Sequence, residues 1–254
     1  MRRVIFNQKG GVGKSTITVN LAALCAQEGK KTLVVDLDPQ GNASQYVLGA
    51  GKHLPPWTLA DFFGDTLKFS LRKRGLQDYI TSTPFPGLHL LPAHPEMADL
   101  AGKLEAKYKI YKLKEALDSA GDFDAVFMDT PPALSFYTLS ALIAADTCLI
   151  PFDCDEFSRR AIHSLIGSVH EIREDHNPTL VVEGIIVNQY QSRANLPKKM
   201  VEDLKAEGLP VFDSFLSSSV KIRESHEKAL PLIHMDPTHK ITQEFAALYR
   251  ELLG

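Results

Sequence analysis

Residues 4–16 read Val4-Ile5-Phe6-Asn7-Gln8-Lys9-Gly10-Gly11-Val12-Gly13-Lys14-Ser15-Thr16. A short apolar run, a glycine-rich turn and a Lys-Ser-Thr triplet opening an apolar-rich stretch give the order strand, loop, helix. Glycines let successive backbone N–H groups curl around an anion, and the N-terminus of the following helix adds its dipole. Gly10, Gly11, Val12 and Gly13 then form a cradle for phosphates. Lys14 reaches the β- and γ-phosphates, the Ser15 hydroxyl ligates Mg2+, and Thr16 joins the nucleotide-binding set. A tight turn alone has no need of that triplet between a strand and a helix.

Outward from this loop, short β-branched or apolar runs alternate with longer amphipathic ones. Residues 4–7, 32–38, 88–93, 125–130, 147–153, 181–189 and 211–216 read as strands. Residues 14–28, 96–117, 135–144, 158–176, 197–207 and 238–253 read as helices. Several strands are almost wholly apolar, the pattern of strands buried on both faces of a parallel sheet. The expected fold class is α/β: a doubly wound, mostly parallel sheet flanked by helices, with ligands bound beyond the carboxyl ends of the strands. Residues 49–86 are the least regular and read as loops and short helices capping the rest. No repeat or linker interrupts the chain, so one domain over residues 1–254 is expected.

Composition narrows the function classes. At 44% hydrophobic and 23% charged, the 254 residues are not a disordered chain, and three cysteines do not make a disulfide scaffold. Cys25, Cys148 and Cys154 have no C-x-x-C spacing. The first two read as small buried hydrophobes, with no metal or iron–sulfur role. A net charge of −3, from 28 Lys+Arg against 31 Asp+Glu, excludes a bulk polycation but not a local basic patch. The opening Met1-Arg2-Arg3 and its short apolar run do not make a signal peptide, and no apolar run nears the ~18 residues of a membrane span. The expected location is the cytoplasm.

Two further segments carry acids. Thr-Leu-Val-Val-Asp-Leu-Asp-Pro-Gln-Gly-Asn (32–42) sets Asp36 and Asp38 at a strand end, and Ala-Val-Phe-Met-Asp-Thr-Pro-Pro (125–132) does the same for Asp129. Acids there point into the ligand crevice of a parallel sheet. The phosphate loop also departs from G-x-x-x-x-G-K-[ST]: the first glycine position is Gln8, and Lys9 follows it.

The string Lys9–Thr16 resembles the deviant Walker A motif of the ParA/MinD family of ATPases, and the resemblance runs from Val4 to the final helix. It implies ATP and Mg2+ as cofactors and Lys9, Lys14 and Asp38 as the catalytic set. Lys9, the signature residue, reaches across a dimer interface to the partner's ATP, as an arginine finger does. Asp38 orients the attacking water. Asp129 is the Walker B acid holding Mg2+ through water, and Asp36 shapes the site or joins the metal shell. Asn188, ending Gly-Ile-Ile-Val-Asn, hydrogen-bonds adenine. The loop 217–220 flanks the base, although relatives often carry a proline that is absent here. Residues 39–42 and 130–132 are switch segments sensing the γ-phosphate.

The same resemblance implies a homodimer in the ATP state, non-specific DNA binding, and a ParB-like or other cargo adaptor that stimulates hydrolysis. A nucleoid-associated ATP form follows. The DNA-contact candidates are Arg193, Lys198, Lys199, Lys221 and Arg223, the last in a segment that carries a DNA-contacting arginine in relatives. Lys205 shares a predicted helix with Lys198 and Lys199. A second cluster comprises Lys103, Lys107, Lys109, Lys112 and Lys114. Phosphate binding needs only such a common basic face and no base readout. The rival readings are a MinD-like membrane-cycling ATPase and an ATP-dependent amidating or carboxylate-activating enzyme on the same fold. No membrane partner is expected, since Ile241, Phe245, Leu248 and Leu252 form a stripe suited to core packing.

Overall fold

The structure, a computed structural model, describes residues 1–49, 55–69, 74–121, 123–154, 158–191 and 193–254, for 158–160 the backbone alone. Its elements in chain order are β1 (Arg2–Ile5), α1 (Lys14–Gln27), β2 (Thr32–Asp36), α2 (Asn42–Leu48), α3 (Leu59–Leu67), a 3-10 turn (Leu76–Tyr79), β3 (Thr81–Ser82), β4 (Leu88–Leu91), α4 (Met97–Ala106), α5 (Lys112–Ser119), β5 (Ala125–Asp129), α6 (Phe136–Ala144), β6 (Thr147–Asp153), α7 (Ser158–Asp175), β7 (Val181–Asn188), α8 (Asn195–Ala206), α9 (Val220–Lys228), α10 (Leu232–Met235) and α11 (Lys240–Glu251).

The described strands form one sheet in the order β3-β4-β2-β5-β1-β6-β7. Only the short β3–β4 pair is antiparallel; every other pairing is parallel. The apolar runs are continuous because alternate residues feed two cores. Leu33, Val35, Val126, Met128, Ile150, Ile185 and Val187 face one, with α4 to α8. Ile5, Val34, Phe127, Leu149 and Ile186 face the other, with α1 and α11. Burying a side chain such as Phe127 contributes about 1.5–3 kcal/mol. Ile241, Phe245, Leu248 and Leu252 of α11 are buried in this second core, where α11 packs on α1.

Two expected elements differ. Residues 211–216 form no continuous strand; single backbone pairings flank the stretch, Ile185 with Val211 and Tyr190 with Ser217. Between them the Glu251 carboxylate draws the backbone away. It accepts from the amides of Asp213 (2.7 Å) and Ser214 (2.9 Å). The predicted helix 96–117 is two helices, broken near Tyr108 at φ 53°. Leu104 and Leu113, nine residues apart, would lie on opposite faces of one continuous helix; the break lets both be buried. The lysines of 103–114 therefore share no single helical face, and Lys112 is already paired with Glu115.

Helix α9 starts at Ser219, whose hydroxyl accepts from the Lys221 amide at 3.2 Å. It ends on Ala229 in the left-handed region, φ 48° and ψ 46°. A side chain there costs about 1 kcal/mol relative to glycine. Ala229→Gly is expected to raise the unfolding free energy of the nucleotide-free protein by about that amount, read from thermal melts; an unchanged or lower Tm would contradict this geometry.

Candidate nucleotide-binding site

Sheet register builds the site. The last residue of β5, Asp129, lies opposite Ile5 of β1 on one side and Asp36 of β2 on the other. The loop leaving β1 therefore starts beside two carboxyl groups. Asn7 pins its first turn by donating to the Pro151 carbonyl (2.7 Å) and accepting from the Lys9 amide (2.8 Å). At its far end Gly13 has φ 87°, and a Cβ there would meet Asn188 Nδ2 at 2.5 Å. A residue other than glycine is thus excluded both by conformation and by space. Asn188 Nδ2 donates to the Val12 carbonyl at 2.9 Å, and Gln189 Nε2 donates to that of Gly11 at 3.3 Å. Gly10 lies against Pro132, which would stand 3.9 Å from a Cβ.

Gly13 caps α1 with no side-chain acceptor, so the first-turn amides face outward toward an anion. Lys14 is buried, and its ammonium donates to the Lys9 carbonyl at 3.0 Å. Burial lowers its pKa, opposed by the charges of Asp129 and Asp38. Lys9 stands at the rim with a side chain 45% exposed and Nζ 3.6 Å from Asp153 Oδ2. Thr16 Oγ1 lies 3.1 Å from His226 Nε2.

The three acids have unlike surroundings. Asp36 Oδ2 accepts from both the amide and the hydroxyl of Ser44 at 2.7 Å, and Oδ1 accepts from the Asp38 amide at 3.2 Å. Burial pushes its pKa up to about 6 against those bonds. Asp38 turns the following loop, accepting from the Gln40 amide at 3.0 Å. Asp129 is fully buried, and neither oxygen has a hydrogen-bond partner within bonding geometry among the described residues. Burial, then the Asp36 charge, raise its pKa well above the carboxylate range. Nearby Ser15 and Lys14 pull it back in part. Thr130 fixes the chain beyond it through a 2.7 Å bond to the Ile5 carbonyl.

The AAA domain family matches residues 3–182. The chromosome-partitioning ATPase Soj of Thermus thermophilus is 34% identical, over 100% of this chain and 96% of its own. The chain belongs to the ParA/MinD family of P-loop ATPases.

Solved structures agree on the fold of this P-loop ATPase. Apo McdA of Cyanothece superposes with a TM-score of 0.85 at 21% identity, covering 100% of this chain and 99% of that one. Cobyrinic acid a,c-diamide synthase of Mycobacterium smegmatis, with ADP and magnesium bound, superposes with a TM-score of 0.76 at 28% identity, covering 94% and 97%. ATP and Mg2+ are the cofactors, and the residues fit the metal. Asp129, buried without a partner and with Ser15 nearby, is a donor set for a cation that takes one or two protein oxygens and completes its shell with phosphate and water. Among the described residues no helix is long and apolar enough to cross a membrane.

The DNA candidates have unequal surroundings. Arg193, Lys198 and Lys199 are exposed. Lys221 is paired with Glu224 (3.2 Å) and Asp236 (3.7 Å), and Lys205 with Asp213. Arg223 is exposed and has no hydrogen-bond or ion-pair partner among the described residues. Asn7 and Gln189 sit within or beside the local motifs, whereas Ser44 and His226 meet the site only through the fold.

A buried acid whose pKa is raised by folding holds its proton more tightly when folded, so its ionisation lowers stability as pH rises from the unfolded to the folded value. For Asp36 that window runs from 3.8 to about 6. Asp129→Asn removes one of the two like charges. In the absence of nucleotide this variant is expected to exceed the wild type in stability at neutral pH, with the gap closing as pH falls toward the ordinary carboxylate range. Denaturant titrations across the range check it; a gap independent of pH would contradict the account.

Proposed function

We propose that this chain is a Mg-ATP-dependent ATPase that dimerises around its nucleotide, binds DNA without sequence preference and positions or segregates a cargo. Residues 1–254 work in it as one domain. The observation that carries the reading is the pair of lysines in one phosphate loop. Lys14 is buried and tied to the carbonyl of Lys9, while the Lys9 side chain stands at the rim. An ammonium at the rim suits a charge delivered to a phosphate outside its own pocket. Lys14, held inside, neutralises charge on the phosphates of its own site.

In this reading the amides of the loop and the first turn of α1 hold the phosphates, and Ser15 and Asp129 would hold Mg2+, which would supply charge neutralisation for the transferring group. Asp38 orients the attacking water from a loop that Asp36 shapes through Ser44 and the Asp38 amide. Asn188 braces the loop with one N–H and faces the adenine with the rest of its amide. Hydrolysis releases that loop and hence the dimer. The 34% identity to the chromosome-partitioning ATPase Soj supports a partition role. Arg223, Lys198, Lys199 and Arg193 supply the phosphate contacts, a ParB-like or other adaptor stimulates hydrolysis, and the ATP form is nucleoid-associated in the cytoplasm. A carboxylate-amidating activity is the second reading, supported by the 28% identity to the diamide synthase.

Light scattering with and without ATP tests the lysine pair. The wild type is expected to dimerise with ATP, and Lys14→Ala to bind no nucleotide. Lys9→Ala should bind ATP yet remain monomeric, and Asp38→Ala should persist as an ATP dimer. On DNA, the wild-type dimer should bind only with ATP and lose affinity steeply with salt. An ATP dimer formed by Lys9→Ala would overturn the proposal.

A further inference from the structure

The Thr16 hydroxyl has a partner from the far end of the chain. His226 of α9 brings Nε2 to 3.1 Å from Thr16 Oγ1. The imidazole packs at a tilt against Tyr46 of α2, with ring centroids 4.2 Å apart and planes at 50°. Tyr46 is locked in turn: its hydroxyl lies 2.7 Å from Ser225 Oγ and accepts from Asn20 Nδ2 at 3.1 Å. Asn20 also donates to the Thr16 carbonyl (2.8 Å) and accepts from the Leu232 amide (2.8 Å). Asn20, Tyr46 and Ser225 are buried. Four elements meet in this network: α1 of the phosphate loop, α2 after the Asp38 loop, α9 with Arg223, and α10. Its buried members, Asn20, Tyr46 and Ser225, hold one arrangement and resist others, and the exposed His226 joins them at the surface.

Partial burial lowers the pKa of His226, so at neutral pH its ring is uncharged and carries one N–H. A hydroxyl can accept one hydrogen bond and donate another. If His226 donates Nε2–H to Thr16 Oγ1, the Thr16 proton is left to point at a phosphate oxygen lodged at the N-terminus of α1. We propose that His226 is a nucleotide-positioning residue: it orients the Thr16 hydroxyl toward the bound nucleotide's phosphates, and through the same contact passes occupancy of the phosphate loop to α9. This rests on the nucleotide-binding reading above. It extends that reading by giving α9 a direct physical link to the phosphates, so that the basic residues on it respond to ATP.

The test uses the full chain and three substitutions at one position. His226→Phe keeps an aromatic ring against Tyr46 and deletes the donor. His226→Gln places an amide Nε2–H2 where the imidazole Nε2–H stood. ATP and ADP affinities are measured by calorimetry, and hydrogen exchange of residues 220–228 is followed with and without ATP. His226→Phe is expected to weaken both nucleotides about threefold to tenfold, the worth of one neutral hydrogen bond, and to abolish the ATP-induced change in exchange over α9. His226→Gln should restore both. His226→Asn, too short to reach Thr16, should not.

Unchanged or tighter binding by His226→Phe would overturn the proposal, because the histidine would then be idle or a competitor for Thr16. Weakened binding with an intact exchange response in α9 would overturn the link to α9. A wild type that binds no nucleotide refutes the underlying reading instead, so the two failures are distinguishable.

Discussion

Asp129 is a carboxyl group at the end of a central strand, buried, without a hydrogen-bond partner among the described residues, and in register with a second buried acid on the neighbouring strand. Such a pair is unfavourable to the free protein, since desolvated like charges cannot both ionise cheaply. Strand register leaves no escape. β1, β5 and β2 end at the same level, so the phosphate loop, Asp129 and Asp36 have to share one edge. The two acids divide the difficulty differently. Asp36 is satisfied by Ser44 and the Asp38 amide and becomes part of the loop's geometry. Asp129 stays open, with Ser15 and Lys14 nearby, and a divalent cation bound with nucleotide phosphates is what this opening suits.

The surrounding structure serves to keep that opening shaped. Asn7, Asn188 and Gln189 hold the glycine loop from the ends of β1 and β7, Thr130 holds the chain past Asp129, and Ser44 joins Asp36 to the Ala93 amide of the next segment. Lys14 is drawn inward by the acids and the Lys9 carbonyl. Lys9 itself is at the rim, with Nζ 3.6 Å from Asp153 Oδ2. A cradle pinned on several sides, with a half-exposed lysine at its lip, suits a P-loop ATPase.

Much of this was legible in the chain because it is written in consecutive residues. The loop 7–16 and the acids of 32–42 and 125–132 are local strings, and the apolar runs reveal strands buried on both faces. What stayed hidden is what depends on contacts between distant residues. Glu251 capturing two amides of 213–214 has no local signature, and without it residues 211–216 read as a strand. The break at Tyr108 follows from burying both Leu104 and Leu113, a demand that only the packed core imposes. His226 lies 210 residues from Thr16, in a segment whose local signature is only its charge.

The central claim is that the open carboxyl of Asp129 is completed by magnesium together with nucleotide. Thermal unfolding of the wild type and of Asp129→Asn, each with ATP plus Mg2+ and with ATP plus EDTA, tests it most directly. The account predicts that Mg2+ adds a clear rise in wild-type Tm beyond that from ATP with EDTA, and adds little or none in Asp129→Asn. Equal stabilisation of the wild type by ATP with and without Mg2+, or an undiminished Mg2+ increment in Asp129→Asn, would contradict it.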